Sequence, residues 1–199
     1  MGGARIRVAD EADAARMLAI YAPYVRDTAI SFEVEPPSEE EFQRRIRAAL
    51  DFGCWLLCEV GDEALGYAYA SRFHARAAYQ WTVEVTVYVH LDHCRRGVGL
   101  GLYTTLLAGA ALQGFRSAAG VIALPNPPSV GLHERMGFTR AGVLRAVGHK
   151  HGRWHDVGWW QRDLADARPP AGPPRSMAAV EGTPVWQDAL AAGAALVRT

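Results

Sequence analysis

Residues 81–115 read WTVEVTVYVHLDHCRRGVGLGLYTTLLAGAALQGF and predict a strand, a glycine-rich turn and a helix in direct succession. From Trp81 to Val89, β-branched and aromatic residues are interleaved with polar ones, which is typical of a strand. After a polar turn, apolar residues recur at helical spacing from Val98 to Ala111. The other predicted elements precede and follow this strand–turn–helix unit.

Three glycines, Gly97, Gly99 and Gly101, open the predicted helix. The first N–H groups of a helix have no partner within it, and they lie at the positive end of its dipole. Because glycine has no side chain, the backbone here can approach a phosphate or pyrophosphate. The glycines fit a tight turn without a ligand equally well, since their spacing matches neither a P-loop nor a dinucleotide fingerprint.

Length and composition indicate one globular domain. The chain has 199 residues, half of them apolar, which is enough for a sizeable core. Lys+Arg and Asp+Glu both total 21, and a zero net charge argues against a nucleic-acid-binding protein. No apolar run reaches about 18 residues and no signal peptide is evident, so no membrane association is expected. Cys54 and Cys58 lie in an apolar predicted strand and are expected to be core thiols. The cysteines lack zinc-ligand spacing and predict a reduced, cytoplasmic protein.

Strands and helices alternate on both sides of the central stretch. Asp10 can cap the first helix, and Pro23 should end or kink it. The further elements predicted are a strand at 5–9, a helix at 38–50, a hairpin at 54–71, a strand at 117–124, a short helix at 130–136 and closing strands at 138–148 and 154–164. Early and late hairpins with crossovers between them predict an α/β (α+β) domain over residues 1–164, with a mixed central β-sheet flanked by helices.

The composition changes after this domain. Residues 165–199 are rich in Pro, Gly and Ala, and predict a C-terminal tail. Residues 165–182 look like a linker, and residues 184–198 can form one helix. That helix can dock on the domain or on a partner, but an idle tail is the favoured interpretation.

Four segments in a fixed order carry a resemblance to a known family. They are WTVEVTVYV (81–89), RRGVG (95–99), LPNPPSV (124–130) and HKHGRWHDVG (149–158), and the third continues as a helix ending LHERMGF. The chain resembles the GNAT acetyltransferase superfamily over residues 5–164, and within it the phosphinothricin and methionine sulfoximine N-acetyltransferase branch.

This resemblance implies acetyl-CoA as the acetyl donor, a primary amine as the acceptor and a homodimer. The pyrophosphate would lie on backbone amides of the glycine turn, and the pantetheine arm would pair with the central strand like an added strand. Asn126 can cap its helix or touch the pantetheine. The cofactor-binding positions implied are Val87, Tyr88, Val89, Arg95, Arg96, Gly97, Val98, Gly99, Leu100 and Asn126.

Two residues are candidate catalysts. A carboxylate at Glu84 on a central strand is costly without a role or a partner, and burial would raise its proton affinity. We assign it as the general base, directly or through a water, against the alternative of a structural ion pair with an arginine. The resemblance places His133 near the thioester sulfur, where it would serve the leaving thiolate, unless it is structural. A backbone N–H near residues 87–89 would hold the oxyanion.

Candidate acceptor-binding residues lie in loops and on the central strand: Phe32, Arg76, Tyr79 and Tyr88. The resemblance also implies a pair of basic residues in the connector before the central strand, which here are His74 and Arg76. Arg76 can clamp an acidic group, or it is a surface charge. Glu33 adds a negative charge beside Phe32. The histidines at 149, 151 and 155 do not match a zinc pattern, so no metal is expected.

The sequence thus predicts an acetyl-CoA-dependent N-acetyltransferase for a small amino-acid-like amine of the phosphinothricin, methionine sulfoximine or methionine sulfone type. One alternative is acetylation of another amine, such as a protein N-terminus, a lysine or a polyamine, although the loops hold no acidic cluster suited to a polyamine. The other is a non-catalytic acyl-CoA-binding module, which would need neither Glu84 nor His133. The expected partners are the small-molecule amine and a second copy of the chain.

Overall fold

The computed structural model describes residues 2–50, 52–166, 168 and 170–199. Within them, the strands are β1 (Arg5–Val8), β2 (Trp55–Val60), β3 (Glu63–Arg72), β4 (Thr82–Val89), β5 (Ser117–Leu124), β6 (Thr139–Lys150) and β7 (Arg153–Asp163). The helices are α1 (Ala14–Asp27), α2 (Glu39–Leu50), α3 (Val98–Gln113), α4 (Pro127–Arg135), α5 (Ala178–Glu181) and α6 (Pro184–Ala194). The predicted linker at 165–182 includes residues 167 and 169, which lie outside the described residues.

All seven strands form one mixed sheet in the order β1-β2-β3-β4-β5-β7-β6. Neighbours are antiparallel except β4 and β5, which are parallel. A parallel pair requires a crossover connection, and α3 supplies it. The predicted α/β domain with a mixed sheet and flanking helices is confirmed.

Helices cover both faces of the sheet. The alternation along β4 directs Val83 and Val85 into the core formed with α3, where Leu102 and Leu106 are fully buried. The opposite face packs against α1 and α2 through a second core that includes Met17. Glu84 therefore lies on the α1 side of the sheet, one residue away from each of two buried valines.

The structure tests two local predictions, one for the cysteines and one for the proline in α1. Cys54 and Cys58 are buried, as expected for core thiols, and burial raises the pKa of Cys58 to about 12. Helix α1 runs through Pro23 to Asp27, so Pro23 does not end it. The carbonyl that Pro23 leaves without a helical donor belongs to Ala19, which is exposed and accessible to water.

The C-terminal segment is not idle. Trp186 is only 1% exposed and packs beneath Gly109 of α3, and the Thr105 hydroxyl donates to the Ala189 carbonyl at 3.1 Å. Helix α6 thus docks along α3, which corrects the favoured interpretation of the tail. Across the described residues, every helix falls short of the length and apolar content needed to span a membrane.

Candidate active site

The site is a gap in the sheet between β4 and β5. These strands pair only at Thr82–Ser117, Val83–Ala118 and Glu84–Ala119, and within the described residues no pairing joins them further along. β3 remains paired with β4 as far as Val89. The last five residues of β4 therefore have one edge covered by β3 and the other edge open.

Contacts of two carbonyl groups show which backbone groups of β4 face the open edge. The Tyr103 hydroxyl oxygen lies 3.3 Å from the Val85 carbonyl oxygen, and the Tyr24 hydroxyl donates to the Val89 carbonyl at 2.6 Å. Backbone groups two residues apart in a strand point to the same edge. Val87 lies midway between these carbonyls, so its N–H and C=O point into the gap and have no β5 partner in the described chain.

Side chains from four elements line the gap, which encloses a cavity of about 50 Å³. The lining residues are Ile30, Val85, Thr86, Val87, Tyr88, Tyr103, Val121, Ile122, Ala123, Asn126, Ser129 and His133. Val87, Tyr88, Asn126 and His133 were predicted from the sequence as site residues, and the fold brings them to one place. Glu84 stands at the closed end of the gap, where strand pairing stops.

Glu84 carries a half-buried carboxylate. No hydrogen bond or ion pair to it is found among the residues described, so the structure offers no arginine partner of the kind the structural alternative requires. Burial raises the pKa of Glu84 above the usual glutamate value. A partly desolvated, unpaired carboxylate at the point where the two strands separate has the properties of a general base.

His133 is 3% exposed and has partners at both ring nitrogens. Its Nδ1 lies 2.8 Å from the Ser129 carbonyl oxygen, which can only accept, so Nδ1 carries the proton. Nε2 is then the acceptor for the Tyr103 hydroxyl at 3.1 Å. Burial lowers the pKa of His133, which favours this neutral form. The ring also rests on Gly120, where a Cβ would come within 2.5 Å of Nε2.

Tyr103 is a site residue that sequence reasoning missed. It lies on α3, is 1% exposed, and its hydroxyl bridges His133 and the Val85 carbonyl. In the helical pattern of α3, Tyr103 counts as an apolar residue, so the pattern does not reveal the role of its hydroxyl. The available signal was a hydroxyl on the buried face of α3, since buried hydroxyls need partners.

The glycine turn lies between β4 and α3. Arg95 and Gly97 have φ values of 61° and 85°, and Gly97 precedes the first residue of α3. The amides of Val98, Gly99 and Leu100 begin the helix and have no intrahelical acceptor. The predicted turn residues therefore form one cluster of donors at the carboxyl end of β4.

The glycines serve packing as well as the turn. A Cβ on Gly97 would meet the Leu196 carbonyl, and one on Gly101 would meet the Gly193 carbonyl. Gly99 instead faces Leu132 and Val89. Close approach of the C-terminal segment thus explains two of the three glycines without a ligand. Asn126 does cap α4, since its Oδ1 accepts from the Ser129 N–H at 3.3 Å.

The predicted acceptor residues separate into two groups. Phe32 lies over Gly148, and its ring is 6.0 Å from His155, while Tyr88 packs among the rings of Tyr21, Tyr24 and Tyr67 near the gap. His74 and Tyr79 lie in the exposed connector between β3 and β4, with ring centroids 4.9 Å apart, and the Arg76 N–H donates to Nδ1 of His74. In the described chain, no ring contact or hydrogen bond links the connector group to Phe32 or Tyr88.

Glu33 is neutralised by its surroundings. Nη1 of Arg45 lies 2.6 Å from a Glu33 carboxylate oxygen, and the Tyr21 hydroxyl donates to the same oxygen at 3.0 Å. The negative charge expected beside Phe32 is therefore already paired. It presents a smaller obstacle to an anionic acceptor than the sequence suggested.

Comparison with known proteins agrees with this architecture. The sequence model of the acetyltransferase (GNAT) domain matches residues 6–159. A phosphinothricin N-acetyltransferase from Streptomyces viridochromogenes is 47% identical over 83% of this chain and 90% of its own length. An L-methionine sulfoximine/L-methionine sulfone acetyltransferase from Pseudomonas paraeruginosa is 33% identical over 83% of this chain and 97% of its own.

The fold has close counterparts among solved structures. A GNAT superfamily phosphinothricin acetyltransferase from Sinorhizobium meliloti in complex with acetyl-CoA superposes with a TM-score of 0.82 at 33% identity, covering 86% of this chain and 96% of that one. The family resemblance inferred from residues 81–158 is thereby confirmed. The chain belongs to the GNAT acetyltransferase family.

Proposed function

We propose that this acetyltransferase moves the acetyl group of acetyl-CoA to the primary amine of a small amino-acid-like acceptor of the phosphinothricin, methionine sulfoximine or methionine sulfone type. The observation that carries the proposal is the unpaired Glu84 carboxylate at the closed end of the β4–β5 gap. The acceptor class is supported by the substrates in the names of the relatives described above.

The proposed donor site combines the open edge of β4 with the glycine turn. The Val87 N–H and C=O would pair with the pantetheine arm, and the amides from Arg95 to Leu100 would hold the pyrophosphate. Arg95 and Arg96 are exposed and add positive charge at the same turn. Asn126 contributes from the start of α4, where it lines the gap.

The reaction removes two protons from the acceptor nitrogen and supplies one to the departing sulfur. Glu84 takes a proton from the acceptor ammonium, directly or through a water, which frees the nitrogen lone pair to attack the thioester carbonyl. A C–N bond forms, and the oxyanion of the tetrahedral intermediate is stabilised by a backbone N–H in the 87–89 segment, for which Val87 is best placed. The nitrogen, positively charged after the attack, loses its second proton to solvent through Glu84 as the C–S bond breaks. The CoA thiolate leaves and takes up a proton, so the amide and the thiol form with a net release of one proton.

His133 and Tyr103 form the proposed leaving-group side of the site. Both ring nitrogens of His133 are engaged, so we assign its effect on the thiolate to Tyr103, whose hydroxyl it orients. The hydroxyl hydrogen can turn from Nε2 toward the gap and donate to the sulfur. His133 then acts as a positioning residue with Tyr103 as the donor.

The acceptor would be held by both groups of predicted residues. Arg76 would clamp its acidic group, with His74 and Tyr79 beside it, and Phe32 and Tyr88 would pack against its carbon skeleton. Bringing the exposed connector over the gap is then part of acceptor binding. The proposal includes a cytoplasmic location and a homodimer. The dimer is supported by apolar side chains exposed on the β6–β7 hairpin: Leu144, Val147 and Trp154.

The test is thiol release from acetyl-CoA by purified protein with phosphinothricin, methionine sulfoximine, methionine sulfone, ordinary amino acids and spermidine. N-acetylphosphinothricin is the control, because its nitrogen is already acylated. Selective turnover of the first three compounds, with a silent control, is the expected result. Preference for spermidine, or no turnover of any amine by protein that binds CoA, would refute the proposed acceptor class.

A further inference from the structure

The C-terminal helix lies against α3 along its length. The two helices are antiparallel, since Gly101 contacts Gly193, Thr105 contacts Ala189 and Gly109 contacts Trp186. The backbones approach so closely that a Cβ on Gly193 would lie 2.6 Å from the Gly101 carbonyl oxygen. This arrangement brings the end of α6 to the beginning of α3, where the glycine turn lies.

The residues after α6 hold that turn by its carbonyl groups. The N–H of Arg198 donates to the Arg96 carbonyl at 2.8 Å, and its guanidinium Nη2 donates to the Arg95 carbonyl at 2.6 Å. The Leu196 carbonyl lies over Gly97. Residues 196–198 thus contact the turn whose amides are proposed to bind pyrophosphate.

The turn has a backbone shape that benefits from such support. Arg95 adopts a left-handed conformation with φ of 61°, which residues with a side chain seldom occupy, and Gly97 follows with φ of 85°. Conformations of this kind persist when surrounding structure fixes them. The two donors of Arg198 are bound to the carbonyls of this irregular stretch.

We infer that residues 184–198 are a brace that preorganises the acetyl-CoA turn, with Arg198 as its positioning residue. This inference rests on the proposed function, because it assigns the turn to acetyl-CoA. The family match ends at residue 159, so the brace is an addition to the matched domain. A loosened turn would bind acetyl-CoA more weakly, because only the fraction of molecules with a formed turn is competent.

Variants at position 198 separate the two bonds and the charge. Arg198→Ala removes the side-chain donor, Arg198→Pro removes the backbone N–H as well, and Arg198→Lys retains a cation. The matched control is Arg175→Ala. Arg175 lies in the 165–199 tail but outside the brace, and its guanidinium donates to the Leu112 carbonyl at the opposite end of α3. Gly193→Ala tests the helix contact without altering residue 198.

The measurements are the Kd for CoA by calorimetry, the melting temperature, and KM and kcat with acetyl-CoA and with S-acetylpantetheine, which lacks the nucleotide and its phosphates. We expect Kd and the acetyl-CoA KM to rise about three- to tenfold in Arg198→Ala, as for loss of one hydrogen bond, and further in Arg198→Pro. Gly193→Ala should also raise both, Arg198→Lys should restore part of the loss, and Arg175→Ala should match wild type. The kcat and the S-acetylpantetheine KM should not change.

An unchanged CoA Kd in both Arg198→Ala and Arg198→Pro would overturn the brace, as would an equal loss with S-acetylpantetheine or in Arg175→Ala. Because CoA binding needs no acceptor, the Kd comparison decides the matter even if none of the tested amines is acetylated. If wild-type protein binds no CoA, the assignment of the turn fails and the brace fails with it.

Discussion

The Tyr103 hydroxyl oxygen lies 3.1 Å from Nε2 of His133, and this contact joins the glycine helix to the helix that follows the gap. Both residues are buried at the open edge of β4. Since Nδ1 of His133 donates to the Ser129 carbonyl, the imidazole is held in one orientation and its neutral form in one tautomer. The pair can therefore present a hydroxyl to the gap with little rearrangement.

Removing that hydroxyl tests its role in thiolate departure. Tyr103→Phe should lower kcat about ten- to a hundredfold, the lower range for a lost acid or donor, with little change in the Kd for CoA. Steady-state kinetics and calorimetry on the same protein make the comparison. Tyr67→Phe is the control, because Tyr67 is also 1% exposed but does not line the gap. Equal kcat losses in both variants would show that the hydroxyl serves packing alone.

The connector residue Arg76 is predicted to select for acidic acceptors. Arg76→Ala should raise KM for phosphinothricin about tenfold or more, while KM for a neutral amino-acid amide changes little. Arg44→Ala, a change at another exposed arginine, should leave both values alone. Parallel increases for the acidic and the neutral acceptor would remove Arg76 from the proposed clamp.

Lys150 is predicted to hold the acceptor side in shape. Its Nζ donates to the Val25 carbonyl at 2.6 Å and to the Ser31 carbonyl at 2.7 Å, and the residue is 6% exposed. Lys150→Met would leave both carbonyls without this donor and lower the free energy of unfolding by about 1–3 kcal/mol. Because Ser31 adjoins Phe32, the acceptor KM should rise while the CoA Kd stays constant. A variant with wild-type acceptor KM would contradict this role.

The buried ion network between β1, β2 and α1 predicts sensitivity to acid. Arg7 pairs with Asp13 at 2.6 Å and with Glu59 at 2.8 Å. Burial of Asp13 and Glu59 opposes ionisation, but the hydrogen bonds from arginine outweigh it and lower the pKa of both carboxyl groups. Groups with a lowered folded-state pKa stabilise the protein above their unfolded pKa, and that stabilisation is lost as pH falls through the folded pKa.

Removing Arg7 should therefore matter more at neutral pH than in acid. Arg7→Met should reduce the free energy of unfolding by about 2 kcal/mol near neutral pH, because Asp13 and Glu59 lose the hydrogen bonds of Arg7 and keep only Arg16 as a partner. Urea unfolding from about pH 7 down to about pH 3 should show the difference from wild type shrinking as both carboxyl groups protonate. A difference that is constant over this range would show that packing of the arginine stem, and not the ion network, is responsible.

Much of the fold followed from local patterns in the sequence. The 81–115 stretch predicted β4, the turn and α3 within a residue or two, because alternation and helical spacing are both local properties. Of the prediction that Pro23 ends or kinks its helix, the ending was wrong, since whether a proline ends a helix depends on whether the freed carbonyl can reach water. The docking of α6 was missed for another reason: the glycines that receive it lie more than 70 residues earlier in the chain.

The candidate site likewise contains residues that local patterns could place and contacts that they could not. Val87 and Asn126, which both line the gap, could be placed together because a strand and a helix start fix their positions, and Glu84 lies three residues before Val87 on the same strand. The Tyr103–His133 contact could not be predicted, because it depends on how two helices pack and on the space that Gly120 leaves. Phe32 and Arg76 share a predicted role yet lie in separate groups, because loop positions are set by contacts distant in sequence.

The central claim is that Glu84 removes the proton from the acceptor amine, and Glu84→Gln tests it most directly. The measurement is kcat/KM against pH for wild type and variant with the best acceptor, together with the CoA Kd as a control for folding. Because burial raises the pKa of Glu84, the acid limb of the wild-type profile should lie above the usual glutamate value. The variant should lose about a hundredfold or more in rate, lack that limb and bind CoA normally. A loss below about tenfold, or an acid limb unchanged in the variant, would contradict the account.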